Sequence, residues 1–172
     1  RACHVHEDDP VAFWRKVEKE HEKAIQWMDG KNQVILRGPN VDLTLSVKGR
    51  KFMNSCGTHN MPDGEIYTGP VEESVNGWVR FTYPAIYGGV AVEGAELTFS
   101  NGRITQVKAA KNQDYLLKMV ETDAGARYLG EFAIATKEFV GAKGKLTGLK
   151  TAHVQFQNGK FVEVPGTEKE YR

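Results

Sequence analysis

The sequence predicts an α+β fold: a mostly antiparallel β-sheet with a long N-terminal helix and a second helix packed on it. Three observations lead to this prediction. Apolar residues recur at helical spacing between residues 10 and 29, they alternate with polar residues from residue 33 onward, and Asn-Gly pairs occur at two places between alternating segments. Strands of this kind need helices or a second layer to cover their apolar face.

The first helix is predicted between Asp9 and Gly30. Asp9 is a suitable N-cap, Pro10 fits the first helical position, and Gly30 ends the helix. Residues at helical spacing form its apolar face: Phe13, Trp14, Val17, Ile25 and Met28. We interpret Trp14 and Trp27 as core or interface anchors rather than ligand contacts.

Strands and tight turns are predicted for the next part of the chain. Alternating segments occur at residues 34–37, 43–47, 79–83, 97–99 and 104–107, with a further strand near residue 52. A Gly38-Pro39-Asn40 turn joins the first two segments into a hairpin. The pair Asn101-Gly102 is a strong signal for a second hairpin.

A second helix is predicted to begin near Asn112, which can serve as its cap. Its buried face would consist of Tyr115, Leu116, Met119 and Val120. A short helical turn is expected at residues 124–128. Residues 141–148, rich in Lys and Gly, are interpreted as a mobile loop, and two strands are predicted within residues 152–164, around an Asn-Gly pair.

Length and charge restrict the class of protein. A chain of 172 residues suits one domain, spanning residues 1–172, with a real hydrophobic core. The net charge is +1, with 23 basic residues nearly matched by 22 acidic ones, so we expect neither nucleic acid nor a membrane as a partner. Two cysteines, no apolar run of membrane-spanning length and no signal peptide make a cytoplasmic protein the expectation.

Residues 60–70 place a carboxylate where a tight turn meets a short strand. Pro-Asp-Gly at residues 62–64 favours a turn, Glu65 follows at once, residues 66–68 favour extended chain, and Gly69-Pro70 ends it. The strand fixes the direction of Glu65 while the turn leaves it reachable by a ligand. Such a position suits a metal ligand or a general base, and the alternative is an exposed surface glutamate.

A second carboxylate has a similar setting downstream. Glu131 follows Gly130 and directly precedes the apolar strand candidate at residues 132–135. A glutamate beside a segment that favours burial needs its charge compensated, and a bound cation is one effective compensator. An ion pair with Arg127 or Lys137 at the sheet edge is the alternative.

Three segments resemble the thermophilic aminopeptidase family, the metallo-exopeptidases of the aminopeptidase T and aminopeptidase S type. They are Pro-Asp-Gly-Glu-Ile-Tyr-Thr-Gly-Pro at residues 62–70, Val-Glu-Glu-Ser-Val-Asn-Gly at residues 71–77 and Tyr-Leu-Gly-Glu-Phe-Ala-Ile at residues 128–134. The spacing of the two glutamates also looks like the family's. The resemblance is clear to about residue 136, and it implies that this domain is the C-terminal part of a longer enzyme.

The resemblance implies removal of N-terminal amino acids from peptides by metal-activated water. Members of the family are understood to hold two divalent metal ions, with zinc, cobalt and magnesium as candidates here, in a Glu-Glu-His-His-Asp kind of ligand set. Two metals about 3.5–4 Å apart polarise the peptide carbonyl and deprotonate a bridging water. Glu65 and Glu131 match the two glutamates, so we expect both to be catalytic metal ligands. A peptide substrate and a homodimer are also implied.

The other ligands of the family are not clearly matched. His153 corresponds to either family histidine, and it is the expected third metal ligand. If it stands in the family's His-Trp-Asp element, Gln155 replaces the aspartate and supplies no charged bridge. Two glutamates and one histidine hold a metal only weakly. The alternative function is therefore a non-catalytic fragment or dimerisation module with an incomplete metal site.

Other polar residues are interpreted as solvated surface. This applies to His59, and also to Glu72 and Glu73, although the last two are candidates for binding the ammonium group of a substrate. Cys-His-Val-His at residues 3–6 contains zinc-ligand types but has no partner motif elsewhere. A structural zinc site there is not the favoured interpretation.

Overall fold

The structure is a computed structural model that describes residues 3–135 and the strand backbones at residues 153–156 and 160–163. This part of the chain contains two α-helices and twelve strands, and the strand pairs are all antiparallel. The predicted α+β fold class is confirmed. The predicted loop at residues 141–148 lies outside the described residues.

The first helix, α1, runs from Pro10 to Met28 as predicted. The Asp9 carboxylate accepts a hydrogen bond from the Ala12 amide at 2.9 Å and so caps its first turn. The helix buries Trp14, Val17, His21 and Met28. Trp27, expected as an anchor, leaves 43% of its surface exposed.

The strands follow in chain order and are labelled β1 to β12. Their bounds are β1 Gln33–Gly38, β2 Val41–Ser46, β3 Met53–Ser55, β4 Glu65–Thr68, β5 Asn76–Arg80, β6 Ala85–Tyr87, β7 Val90–Val92, β8 Glu96–Ser100, β9 Arg103–Lys108, β10 Phe132–Ala135, β11 His153–Phe156 and β12 Lys160–Glu163. The predicted hairpins β1–β2 and β8–β9 are both present. So are the two predicted strands near the end of the chain.

Seven strands form the main sheet, in the order β12-β11-β1-β2-β5-β8-β9. A second sheet has the order β10-β4-β3, and β6 and β7 form a separate pair. Apolar residues from both larger sheets and from the helices share one core, which includes Met28, Val34, Leu45, Val47, Ile66, Val75, Phe99, Val120 and Phe132. The three-stranded sheet is thus fixed to the main one by a common interior.

The β6–β7 hairpin was not predicted. It turns at Gly88-Gly89, both with positive φ. The strand expected over residues 79–83 instead belongs to β5, which ends at Arg80, and Phe81 and Tyr83 are exposed beyond it. Phe81 and Tyr83 continue the alternating pattern beyond Arg80, where β5 ends, and the strand was therefore predicted to be too long.

The second helix, α2, runs from Gln113 to Val120, and only Val120 of its predicted face is fully buried. Asn112 precedes it in the left-handed conformation with φ of 58°, and its side chain donates to the Ala91 carbonyl at 2.8 Å rather than capping the helix. At residues 124–128 the structure has a single hydrogen-bonded turn, in which the Tyr128 amide donates to the Gly125 carbonyl at 3.0 Å, and no helix. The Asp123 carboxylate there accepts from the amides of Gly125 and Ala126, each at 2.8 Å.

None of the helices in the described part of the chain is both long and apolar enough to cross a bilayer.

Candidate metal centre

A buried aspartate shapes the loop in front of Glu65. Asp63 is 7% exposed, and its two carboxylate oxygens accept hydrogen bonds from the Gly57 amide at 2.6 Å and from the Gly64 amide at 3.0 Å. The Gly64 amide also lies 3.1 Å from the Ser55 carbonyl. Gly64 has a φ of 122°, which glycine tolerates best. The turn predicted here is therefore held by backbone amides on both sides.

Glu65 is the first residue of β4, as the sequence predicts, and it is half-buried. It lies between two neighbouring strands, opposite Ser55 of β3 and Ala135 of β10. A residue at the end of the central strand of a small sheet has its backbone fixed from both sides. Its carboxylate is still open to the surface beside the loop.

Glu131 stands one residue before β10 and is exposed. Because Ala135 pairs with Glu65, and side chains alternate along a strand, extending β10 by one residue puts Glu131 on the same face as Glu65. Glu131 and Ala135, the residue that pairs with Glu65, are four residues apart, which is about 13 Å along the strands. We expected a partly buried carboxylate at Glu131, but Glu131 is exposed and Glu65 is the half-buried glutamate.

The electrostatics link the two glutamates. Burial raises the pKa of the Glu65 carboxyl above its ordinary value, and the negative charges of Glu131 and Asp63 raise it further. Within residues 3–135, none of the ion pairs includes Glu65 or Glu131. Among the described residues, this face of the small sheet therefore concentrates negative charge that no ion pair compensates.

The alternative of an ion pair between Glu131 and Arg127 is not found. The Arg127 guanidinium instead contacts the Glu121 carboxylate at 2.9 Å and donates to the Ile104 carbonyl at 3.1 Å. Lys137, the other candidate partner, lies outside the described residues. A divalent metal fits this donor set, because hard carboxylate oxygens that have no ion-pair partner among the described residues are suitable ligands for such ions.

Comparison with known proteins gives the chain's family. The family model described as Thermophilic metalloprotease (M29) matches residues 1–157. The chain belongs to this family. M29 proteins are metallopeptidases, so membership agrees with two carboxylates that share one face and have no basic partner among the described ion pairs.

Curated relatives of this M29 chain are aminopeptidases. Aminopeptidase AmpS of Bacillus subtilis is 35% identical over 145 residues, and Aminopeptidase T of Thermus thermophilus is 29% identical over 149 residues. Each match covers 78% of this chain, but only 35% and 36% of the relatives. The chain thus spans about a third of the length of these proteins.

A solved M29 structure has a similar fold. The match is to wild-type AmpT from Thermus thermophilus, with a TM-score of 0.67 and 26% sequence identity. It covers 86% of this chain and 42% of the other. The α+β architecture is therefore shared with a solved aminopeptidase over most of the present sequence.

His153 is not joined to the glutamates by any strand pairing in the described structure. Its backbone begins β11 and pairs with Arg37 of β1 in the seven-stranded sheet. Glu65 lies in the three-stranded sheet, and Glu131 is the residue directly before β10 of that sheet. The assignment of His153 as a third ligand stays a prediction.

The remaining candidates lie at the surface, in the loop before β4 and in the turn that follows it along the chain. His59 is exposed, and its Nδ1 is 3.0 Å from the Thr58 hydroxyl. Glu72 and Glu73 are exposed in a short 3₁₀ turn, Glu72–Ser74. Sequence reasoning treated Asp63 only as a turn residue, although its burial and its charge beside Glu65 make it part of the centre. Its position in Pro-Asp-Gly-Glu was the available signal.

Proposed function

We propose that this chain supplies part of the metal centre of an M29 aminopeptidase, which removes N-terminal amino acids from peptides. In this proposal Glu65 and Glu131 are catalytic metal ligands, and His153 is a third ligand. We also propose that residues 1–172 form one domain. The relatives' names support peptide hydrolysis, since the relatives from Bacillus subtilis, Geobacillus stearothermophilus and Thermus thermophilus are all named aminopeptidases.

One observation carries the proposal. Two carboxylates, on the first residue of β4 and on the residue before β10, fall on one face when the β4–β10 register is extended by one residue, and the charge of Glu131 raises the pKa of Glu65. No described ion pair neutralises either of them. Two such groups are costly to hold together unless a cation or a proton compensates them.

The protein's own residues would position the reactants. A divalent metal bound by these carboxylates would supply Lewis acidity, polarising a peptide carbonyl and lowering the pKa of water. Asp63 fixes the loop from which Glu65 emerges, through its bonds to the amides of Gly57 and Gly64. The pairing with Ser55 and Ala135 holds the direction of Glu65. The exposed glutamates 72 and 73 remain candidates for contact with the free ammonium group of the peptide.

The proposed metals are two divalent ions, with zinc, cobalt and magnesium as candidates. The four-residue offset between the glutamates favours a centre wider than a single ion, because one ion gathers its ligand atoms within about 2.0–2.2 Å of itself. The imidazole of His153, if it joins the centre, would favour zinc or cobalt over magnesium.

Calorimetric titration of the metal-free chain with cobalt and with zinc tests the proposal. We expect weak binding whose affinity is reduced strongly in both Glu65→Gln and Glu131→Gln, because each change removes one anionic ligand. Two equivalents lost in both variants would indicate a complete two-metal centre. Glu20→Gln is the matched control, since Glu20 is an exposed glutamate on α1 with no role in the proposed centre. The assignment would be contradicted if none of the bound metal depended on Glu65 and Glu131.

The reaction is tested separately with a chromogenic amino-acid anilide and its N-acetylated form. An aminopeptidase cleaves only the compound with a free amino group. Metal binding without cleavage would favour the second candidate function, in which this chain is a non-catalytic dimerisation module.

The second candidate, and the proposed homodimer, rest on an apolar surface around β6 and β7. Four large side chains are exposed there: Phe81 at 46%, Tyr83 at 54%, Ile86 at 72% and Tyr87 at 71%. Large apolar side chains left exposed within one short segment, here residues 81–87, are typical of interaction surfaces. We propose that a second copy of the chain covers them.

Sedimentation of the chain and of Ile86→Lys tests this dimer. We expect a dimer that dissociates at least tenfold more readily in the variant, because a lysine would be buried in an apolar contact. Val11→Lys, an exposed apolar residue on α1 outside this surface, is the control. A monomer at high concentration would overturn the dimer proposal.

The proposed location is the cytoplasm. Cys3 and Cys56 are both free, as expected in a reducing compartment.

A further inference from the structure

Three metal-ligating side chains lie close together just before α1. Nδ1 of His4 is 3.4 Å from Oε1 of Glu7, and Nε2 of His6 is 3.4 Å from the same oxygen. All three ligand atoms lie within 4.8 Å of one another. Among the residues that the structure describes, no other group of three His, Cys, Asp or Glu side chains is this close. We name these residues the His4–His6–Glu7 cluster.

The two distances from the Glu7 oxygen to the imidazole nitrogens suit a tetrahedral metal. With zinc–nitrogen and zinc–oxygen bonds of about 2.0–2.1 Å, neighbouring ligand atoms of a tetrahedron are about 3.3–3.4 Å apart. Both distances from Glu7 to the imidazole nitrogens have this value. They are long for a charge-assisted hydrogen bond, which is about 2.7–2.9 Å. The spacing is therefore closer to that of metal ligands than to that of a tight ion pair.

The first ligand is held in place by α1. The His4 ring stacks on Phe13, with ring centroids 3.8 Å apart and planes 14° from parallel, and it meets the edge of Trp14 at 5.9 Å. His4 has a φ of 54°, and its carbonyl accepts a hydrogen bond from the Glu7 amide at 3.1 Å. A histidine in the left-handed conformation is uncommon and needs such support. The turn thus brings His4 and Glu7 together before any ion binds.

The cluster is open enough for an ion to enter. The side chains of His4, His6 and Glu7 are 20%, 55% and 42% exposed. Three protein ligands leave the remaining coordination position to water. Two imidazole nitrogens favour zinc and similar transition metals over magnesium or calcium, which prefer oxygen ligands.

We propose that the His4–His6–Glu7 cluster is a zinc-binding site that orders the segment before α1, whose His4 ring stacks on Phe13. Cys3, a zinc-ligand type considered from the sequence, is not part of the group, and Glu7 takes its place. Nothing in this proposal depends on Glu65 or Glu131. The site is expected to stabilise the segment by binding the folded form more tightly than the unfolded chain.

Zinc titration of the 172-residue chain carrying both Glu65→Gln and Glu131→Gln tests the site, because the proposed centre near β4 is then disabled. We expect one equivalent of zinc. Either His4→Gln or His6→Gln should lower the zinc affinity by more than about 100-fold, since losing even a residue that only supports a metal ligand lowers metal affinity by about 10–100-fold. The control is His59→Gln, which removes an exposed histidine elsewhere.

Two further measurements separate a built site from adsorption. In the same background zinc should raise the melting temperature, and neither equimolar magnesium nor zinc added to His6→Gln should do so. Phe13→Leu keeps apolar bulk but removes the ring beneath His4, so it should lower zinc affinity by about tenfold. Zinc binding unchanged by His4→Gln and His6→Gln, equal losses in His59→Gln, or no zinc binding in a folded chain would each overturn the proposal.

Discussion

The imidazole Nδ1 of His21 lies 2.7 Å from the side-chain oxygen of Asn54, and this contact joins α1 to β3. The Asn54 amide nitrogen donates to the Glu18 carbonyl at 3.0 Å, which fixes the orientation of the amide. Its oxygen therefore faces His21, and Nδ1 must carry the donated proton. Since Ser55 of β3 pairs with Glu65, the contact also connects the helix to the strand pair that positions that carboxylate.

Replacing Asn54 with alanine should destabilise the chain. The change removes the acceptor for His21, which is fully buried, and the donor to the Glu18 carbonyl. We expect a loss of about 1–3 kcal/mol in the free energy of unfolding. Urea unfolding followed by circular dichroism measures it. Asn60→Ala, in the exposed loop, should change stability by less than about 0.5 kcal/mol, and equal effects of the two variants would refute the argument.

Asp63→Asn should loosen the turn before Glu65. An amide side chain keeps one acceptor oxygen, but its NH₂ group would face the N–H of either Gly57 or Gly64. The expected cost is about 1–3 kcal/mol in unfolding free energy. Urea unfolding without added metal measures it, beside the exposed Asp8→Asn as control. Wild-type stability in Asp63→Asn would show that the carboxylate is not needed to close the loop.

Gly102→Ala and Gly49→Ala form a matched pair. Their φ values are +81° and +71°, so both alanines are strained by about 1–2 kcal/mol. A Cβ at Gly49 meets nothing within 4 Å, whereas at Gly102 it would overlap the Glu72 carbonyl oxygen. We expect Gly102→Ala to lose at least about 2 kcal/mol more than Gly49→Ala. Thermal unfolding of both variants measures the difference, and equal losses would contradict the close packing of this turn.

Local signals in the sequence predicted the elements whose causes are local. The Asn101-Gly102 hairpin forms because both residues adopt positive φ, and α1 begins where Asp9 and Pro10 require. The β6–β7 hairpin was missed because all three residues of β6, including Ile86, are exposed and give no amphipathic pattern.

Long-range contacts account for what the sequence could not supply. His21 is a polar residue on an apolar helix face, and its burial depends on Asn54, 33 residues further along. Glu131 was expected to adjoin a buried strand, and its side chain is exposed. Its position relative to Glu65 follows from the β4–β10 register. Only family resemblance connected the two glutamates in advance, since no periodic pattern relates positions so far apart.

Glu96 gives a prediction for the pH dependence of stability. Its Oε2 accepts from Nε and Nη2 of Arg80 at 3.0 and 2.7 Å, and its Oε1 accepts from Nζ of Lys108 at 3.1 Å. These hydrogen bonds lower the pKa of the Glu96 carboxyl below its ordinary value, and those from Arg80 have the largest effect. The group therefore contributes stability above the pKa of the unfolded chain, and this stability is lost as the pH falls through the lower pKa of the folded chain.

Glu96→Gln should consequently be less stable than the wild type at pH 7, with the two unfolding curves converging as the pH falls below about 4. Urea unfolding at a series of pH values from 7 to 3 measures the difference. Added salt should reduce it, since Arg80 and Lys108 are largely exposed. Glu20→Gln, which removes an exposed partner of Lys23, controls for the loss of one negative charge. A difference between wild type and Glu96→Gln that stays constant with pH would show that the three-residue ion pair between β5, β8 and β9 does not contribute to stability through its charge.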